Sequence, residues 1–469
     1  VADTDGDGLS DGAEVNTYGS NPLVADTDGD GLSDGAEVNV HHTNPVVADT
    51  DGDGLSDGAE VNEHGTNPLA ADSDGDGLSD GSELNEHGTD PHLADTDGDG
   101  AWDAAEALRG YDPLDPQDMP PVPAIYVDAG RPDDTGAATN WSTAKRTLQA
   151  AVDAALPGET VLATNGLYDA GGRSRSSADV TNRVSIDLPI VLRSVNGPEV
   201  TVIQGQGPMG ASAVRCAYVG TNAWLSGFTL TNGATTANGG GGGALCASSG
   251  MISDCIIAGN SATGGGGVIG GQVSRCVIAG NSARFFGGGA YASTLIGCVL
   301  SGNMASQYGG GSVLGVLVNC TLTENSAGML AGGCYRGTLT NCIVYNNVGD
   351  IYYGGAGNNY YNVNLNYCCT DPMPDGGDGK VVADPLFVGN GNYRLQAGSP
   401  CIDAGNNAGL LSGVDIDGIP IPLDGDADDE ATVDMGAFEY VDSAADTDGD
   451  GMPDGWEFQY GLNPVADDA

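Results

Sequence analysis

The chain has 469 residues, of which 65 are acidic and 14 basic, giving a formal net charge of −51. Nucleic acid and anionic membrane both call for basic patches, so this charge argues against either partner, and no run approaches the ~18 apolar residues of a membrane span. The 78 glycines include runs that recur with a period, unlike those of a disordered chain, and the odd count of 11 cysteines leaves at least one unpaired in a monomer.

Residues 1–118 carry five tandem copies of one pattern. Asp5, Asp28, Asp51, Asp74 and Asp97 are each 23 residues apart, and Pro22, Pro45, Pro68, Pro91 and Pro113 mark the ends of the copies. A sixth copy, Asp446 to Pro464, falls in 442–469. The first loop reads Asp3-Thr-Asp5-Gly-Asp7-Gly8-Leu9-Ser-Asp11-Gly-Ala-Glu14, which is D-x-D-x-D-G, five residues, then Glu. Calcium takes six to eight oxygens, and this spacing offers them. Asp3, Asp5 and Asp7 give carboxylates, Gly8 the sharp turn and Leu9 a carbonyl. Asp11 acts directly or through water, and Glu14 closes the shell. The same positions recur as Asp26, Asp28, Asp30, Leu32, Asp34 and Glu37 in the second loop. Asp49, Asp51, Asp53, Leu55, Asp57 and Glu60 form the third, and Asp72, Asp74, Asp76, Leu78, Asp80 and Glu83 the fourth. The fifth has Asp95, Asp97, Asp99, Ala101, Asp103 and Glu106, and the sixth Asp446, Asp448, Asp450, Met452, Asp454 and Glu457. A merely acidic linker needs neither the glycine at loop position 6 nor the glutamate at position 12. These copies resemble bacterial thrombospondin type-3-like repeats. That resemblance implies calcium ligation in an extended, rigid array, with the Asn/Asp-Pro ends making bridging contacts.

Asp115 to Pro123 is proline-rich and reads as a linker. Leu148, Ala151, Val152 and Ala155 at helical spacing predict an amphipathic capping helix over 141–156. Short apolar runs follow at Thr160–Ala163, Val184–Ser194, Val200–Ile203 and Trp224–Leu230. Cys255, Cys276, Cys298, Cys320 and Cys342 then recur every 21 or 22 residues, each with an asparagine five residues on: Asn260, Asn281, Asn303, Asn325 and Asn347. Glycine runs ending at Gly243, Gly267, Gly289, Gly311 and Gly333 keep nearly the same period. About 22 residues per repeat without helical periodicity predicts a mainly β fold over 119–441, a right-handed parallel β-helix whose equivalent residues form ladders. The cysteines read as a column of small buried side chains.

Ile125-Tyr-Val-Asp128, the Leu148–Ala155 segment and Pro157-Gly-Glu-Thr-Val161 resemble the first turn of pectate-lyase-like secreted β-helix proteins. Ser399-Pro-Cys-Ile-Asp-Ala-Gly405 and Val433-Asp-Met-Gly-Ala-Phe-Glu-Tyr440 resemble the closing motif of surface-anchored members, here 399–440. The Gly and Asn rows are similar to polymorphic outer-membrane protein repeats. Before the second half of that motif lies an acidic cluster, in which Asp424, Asp426 and Asp428 form a further candidate calcium site, set against a solvated acidic loop.

These features predict a secreted or cell-surface, calcium-stabilised structural or adhesive protein without enzymatic activity. A polysaccharide lyase or hydrolase is the rival, but Asp254 and Glu324 lie about three coils apart, so the regular coils offer no carboxylate pair. The cluster of Arg173, Arg175 and Asp179 is a further place for a site. A carbohydrate-binding surface is a second alternative, with Tyr291, Tyr308 and Tyr335 as a loose row. The chain opens inside a repeat at Val1, with no signal-peptide pattern, as a processed product or a piece of a longer polypeptide would. Joining the last repeat to the first would continue the array, which predicts head-to-tail self-association or tandem modules. A surface glycan or a neighbouring cell is the other expected partner.

Overall fold

The computed structural model describes residues 2–98, 101–115, 118, 124–176, 179–236, 239–349, 359–373, 376–411, 413–425, 430–442 and 452. The chain divides into two compact units: Val1–Pro123 with Leu156–Glu159, and Ala124–Ala155 with Thr160–Ala469. The sixth repeat, apart from Met452, lies outside the described residues.

In the first unit each of the first four loops runs into one helical turn, Asp11–Ala13, Asp34–Ala36, Asp57–Ala59 and Asp80–Ser82. A serine caps each turn through its hydroxyl: Ser10, Ser33, Ser56 and Ser79. A wider turn follows, as in Glu60–His64, and stops at a left-handed residue: Gly19, His42, Gly65 or Gly88. The fifth repeat carries a full helix, Asp103–Arg109, ended by Gly110.

The second unit is a parallel β-helix. One face stacks Ala124–Val127, Thr160–Ala163, Val191–Ser194, Trp224–Ser226, Met251–Ser253, Gln272–Ser274 and Thr294–Ile296 in that order. A second face stacks nine strands from Gly166–Tyr168 to Cys369–Thr370. A third is shorter, from Ser261–Gly264 to Ser326–Ala327. The in-register pairing is what turns a sequence period into columns. Leu225, Ile252, Val273, Leu295, Leu317, Leu339 and Leu365 form one. Leu230, Ile257, Ile278, Leu300, Leu322 and Val344 form another. Both are buried in one continuous core.

The predicted asparagine ladder is present and fully internal. Asn260 donates its backbone N–H and its Nδ2 to Oδ1 of Asn281, and the pattern repeats through Asn303, Asn325 and Asn347 to Asn359. All eleven cysteines are buried free thiols. Those of the ladder donate to nearby carbonyls, as Cys276 does to Ser274.

The capping helix is shorter than its spacing predicts. It covers Leu148–Val152, preceded by a separate turn at Trp141–Thr143. Lys145 is drawn into pairing with the first strand, accepting from Asp128 and donating to Tyr126, so the chain is extended there and Thr147 caps a new start. The apolar positions nevertheless face the core as predicted. Gln149 pairs both backbone groups of Ser185 and so covers the edge strand Thr181–Ile186. Val184–Ser194 is two strands, broken at Asp187 to Ile190.

The closing segment is fastened by carboxylates that accept from backbone N–H groups. Asp434 accepts from Asp403 and Tyr440, Glu439 from Leu423 and Asp434, and Asp415 from Asp417, Ile419 and Glu439.

Candidate metal centres

Each of the first four loops gathers three carboxylates whose oxygens lie within 4.8 Å of one another: Asp3, Asp5 and Asp7; Asp26, Asp28 and Asp30; Asp49, Asp51 and Asp53; Asp72, Asp74 and Asp76. The first aspartate shapes the loop, as Asp26 does by accepting from Gly29 and Gly31 at 2.7 and 3.1 Å. The third links repeats. Asp30 accepts from Leu32 within its own loop and, through Oδ2, from Gly58 of the next repeat at 2.6 Å. Asp7 to Gly35, Asp53 to Gly81 and Asp76 to Ala104 repeat this bond.

The ninth position has a different task. Asp34 accepts from both the N–H and the hydroxyl of Thr27 at 2.7 Å, and Asp11, Asp57, Asp80 and Asp103 hold Thr4, Thr50, Ser73 and Thr96 in the same way. The same hydroxyl accepts from the Asn or Asp before the preceding repeat's proline: Asn21, Asn44, Asn67 and Asp90. These are bridging contacts of the kind the repeat resemblance implies. The sequence reading missed these hydroxyls, the serine caps and the glycines at 35, 58 and 81, although all recur at the 23-residue period.

What remains in each of the first four loops is a set of buried carboxylate oxygens that face no donor among the described residues. Asp28, Asp51 and Asp74 each have Oδ2 in this state, and Glu37, Glu60 and Glu83 each have Oε2; in the first repeat both oxygens of Asp5 and of Glu14 are so placed. The other glutamate oxygen accepts from Thr43, Thr66 or Thr89. Burial, then the charge of Asp28, pushes the Glu37 carboxyl up to about 8. Glu60 and Glu83 reach about 8 by burial and the charges of Asp51 and Asp74. Burial raises Asp74 and Asp76 to about 6. A group of hard oxygen acceptors, desolvated and mutually repelling, fits a divalent cation and calcium above all. Such an ion supplies the missing positive charge. The chain's own residues fix the loop (Asp26), clamp it (Asp34) and aim the spare oxygens (Asp28, Glu37).

Leu9, Leu32, Leu55 and Leu78 bury their side chains, so that position also packs the repeat. In the fifth loop Asp95, Asp97, Ala101, Asp103 and Glu106 are described, while Asp99 is not. Of the additional candidate site, Asp424 is buried, and Asp426 and Asp428 lie outside the described residues, as do Asp446, Asp448, Asp450, Asp454 and Glu457.

In the cluster of Arg173, Arg175 and Asp179, Arg173 pairs with Asp153 and Asp187 and Arg175 with Asp187, while Asp179 lies 4.0 Å from buried Arg215, which donates to the carbonyls of Gly240 and Gly241 and to Asn182. Asp254 is held by Arg275 through two bonds of 2.8 and 2.9 Å.

No curated protein matches the sequence significantly. Among solved structures, the chain is similar to the pectate lyase Pel9A at 14% identity, over 68% of this chain and 98% of that one, with a TM-score of 0.42. It is similar to a rhamnogalacturonan lyase at 10% identity, over 52% and 67%, with a TM-score of 0.31. A third is the A-module of the Azotobacter vinelandii mannuronan C-5 epimerase AlgE4, at 14% identity over 54% and 88%, with a TM-score of 0.25. The bacterial TSP3 repeat profile matches residues 3–25, 26–48, 49–71, 72–94, 95–116 and 446–465, so the chain carries six bacterial TSP3 repeats, five of them ahead of a parallel β-helix.

Proposed function

We propose that this chain is a non-catalytic, calcium-stiffened structural and adhesive module that works outside the cell and associates with further copies of itself. The observation that carries the reading is the orphaned Asp–Glu oxygen pair, repeated loop after loop beside a third aspartate that bonds to the next repeat. Calcium at such a loop would fix the carboxylates that join one repeat to the next. Extracellular calcium modules bind at roughly 10⁻⁴–10⁻³ M, which suits near-millimolar calcium outside cells. The same bond recurs from each repeat to the next, so a further repeat could be added by it. A non-catalytic role is supported by the coil acids: Asp254 is occupied by Arg275, Ser226 and Ser253, and Glu324 accepts from Tyr393.

Calcium titration of the full chain with EGTA reversal, followed by calorimetry and negative-stain microscopy, tests the reading. Uptake at the loops with calcium-dependent extended assemblies is expected. No uptake would remove the calcium role, and compact monomers in saturating calcium would remove self-association. Turnover of polyuronates or other polysaccharides, lost on changing one carboxylate, would replace the structural reading with an enzymatic one.

A further inference from the structure

A cleft of 540 Å³ lies between the second β-face and the closing segment, independent of the calcium loops. It falls in the ~300–1,000 Å³ range of small-ligand sites. Its floor is an aliphatic strip, Ile256–Val277–Val299, stacked in register on three successive coils. On the fourth coil Thr321 follows in the same column, and there its hydroxyl accepts from Ala437 of the closing segment. The closing segment thus seats on the lower end of the strip and leaves the upper three rungs to the cleft.

The walls are planar and polar. On one side stand Asp254 and Arg275, both with left-handed backbones (φ 54° and 48°), a conformation uncommon for such residues. They lie in the same turn column as Asn319 and Asn341, which are spent holding Asp434 and Asn406. Nε and Nη2 of Arg275 are fixed by Asp254, which aims the guanidinium rigidly while Nη1 keeps its donors. On the other side Arg394 binds Asp417 by two bonds of 2.6 Å and lies over the Phe438 ring, beside Tyr393.

Each cation has its own carboxylate, so the cleft presents alternating donors and acceptors without net positive charge. An anionic ligand would meet Glu199 at the rim and the field of a molecule of net charge −51. A neutral sugar chain suits the site. Its hydroxyls both donate and accept, matching rigid guanidinium–carboxylate pairs, and its C–H face suits an apolar strip with aromatic neighbours. We propose that this cleft binds a neutral oligosaccharide lying along the Ile256–Val277–Val299 strip between the two arginine–carboxylate pairs.

The test is binding of the full chain to arrays of neutral hexose oligosaccharides and of oligouronates, with affinities by calorimetry, in calcium and in EGTA. The expected result is binding to a neutral oligosaccharide, unchanged by EGTA and weakened about tenfold or more by Arg275→Gln and by Asp417→Asn. Asp417 sits on the exposed wall, so its variant keeps the test valid if Arg275→Gln fails to fold. No binding to any neutral glycan, preference for uronates, or affinity unchanged in a folded variant would each overturn the proposal. Because the cleft and the loops share no residue, calcium titration decides the structural reading separately.

Discussion

Glu60 keeps one oxygen on Thr66 while the other is buried without a donor, across from the equally spare oxygen of Asp51. Replacing it by glutamine removes one charge from that group. Glu60→Gln should bind one calcium fewer per chain by equilibrium dialysis. In EGTA it should melt at or above the parent temperature, since the repulsion it relieves is unopposed there. The pH response follows from the same residues. The Glu37, Glu60 and Glu83 carboxyls rise from 4.5 to about 8 on folding without metal. Between those values the folded repeats hold protons that the unfolded chain has lost, so metal-free stability falls as pH rises from 4.5 to 8. Calcium holds the ionised forms, so in saturating calcium the folded repeats keep no extra protons over this window and the fall with pH should be abolished. Thermal melts at pH 5 and pH 8, with and without calcium, check both expectations.

At the scale of elements, two kinds of repeat depend on close backbone stacking. A Cβ on Gly58 would run into the Asp30 carbonyl oxygen of the preceding repeat, and Gly35 and Gly81 face Asp7 and Asp53 in the same way. Gly58→Ala should therefore cost about 1–3 kcal/mol and uncouple the calcium loops on either side, seen as a less cooperative titration. In the β-helix, Asn303 accepts two bonds from Asn281 and donates two to Asn325. Asn303→Ala leaves buried donors unpaired, at roughly 1–3 kcal/mol for each, and should lower the denaturation midpoint of this unit. Leu295, fully buried in its column, should cost about 2–5 kcal/mol when cut to alanine.

The whole molecule combines two sources of order. The repeats bury carboxylates around candidate ion sites and little apolar surface beyond residues such as Leu32 and Leu55, whereas the β-helix has a continuous aliphatic and thiol core. Two thermal transitions should be resolved by calorimetry, with EGTA lowering one and leaving the other in place. A single transition shifted as a whole by EGTA would show that the repeats and the β-helix unfold together.

The sequence by itself determined whatever its periods encode. A 23-residue spacing of Asp, Gly and Glu gave the loops, and a 22-residue spacing of Cys, Asn and Gly gave the coil length and the inward ladders. Stacking identical units forces equivalent residues into equivalent environments, so a period is legible without coordinates. Tertiary structure decided what no period carries. Pairing of Lys145 with the first strand shortened the capping helix. Asp11 and its equivalents proved to clamp a hydroxyl, because the helical turn after each loop folds them back on it. Asp254 and Glu324, distant along the coils, both meet partners that chain folding supplies, Arg275 one coil on and Tyr393 from the strand Asn392–Leu395 ahead of the closing segment. The cleft exists only because that aperiodic segment returns across the coils, and its contacts join residues more than a hundred positions apart, as Thr321 and Ala437 are.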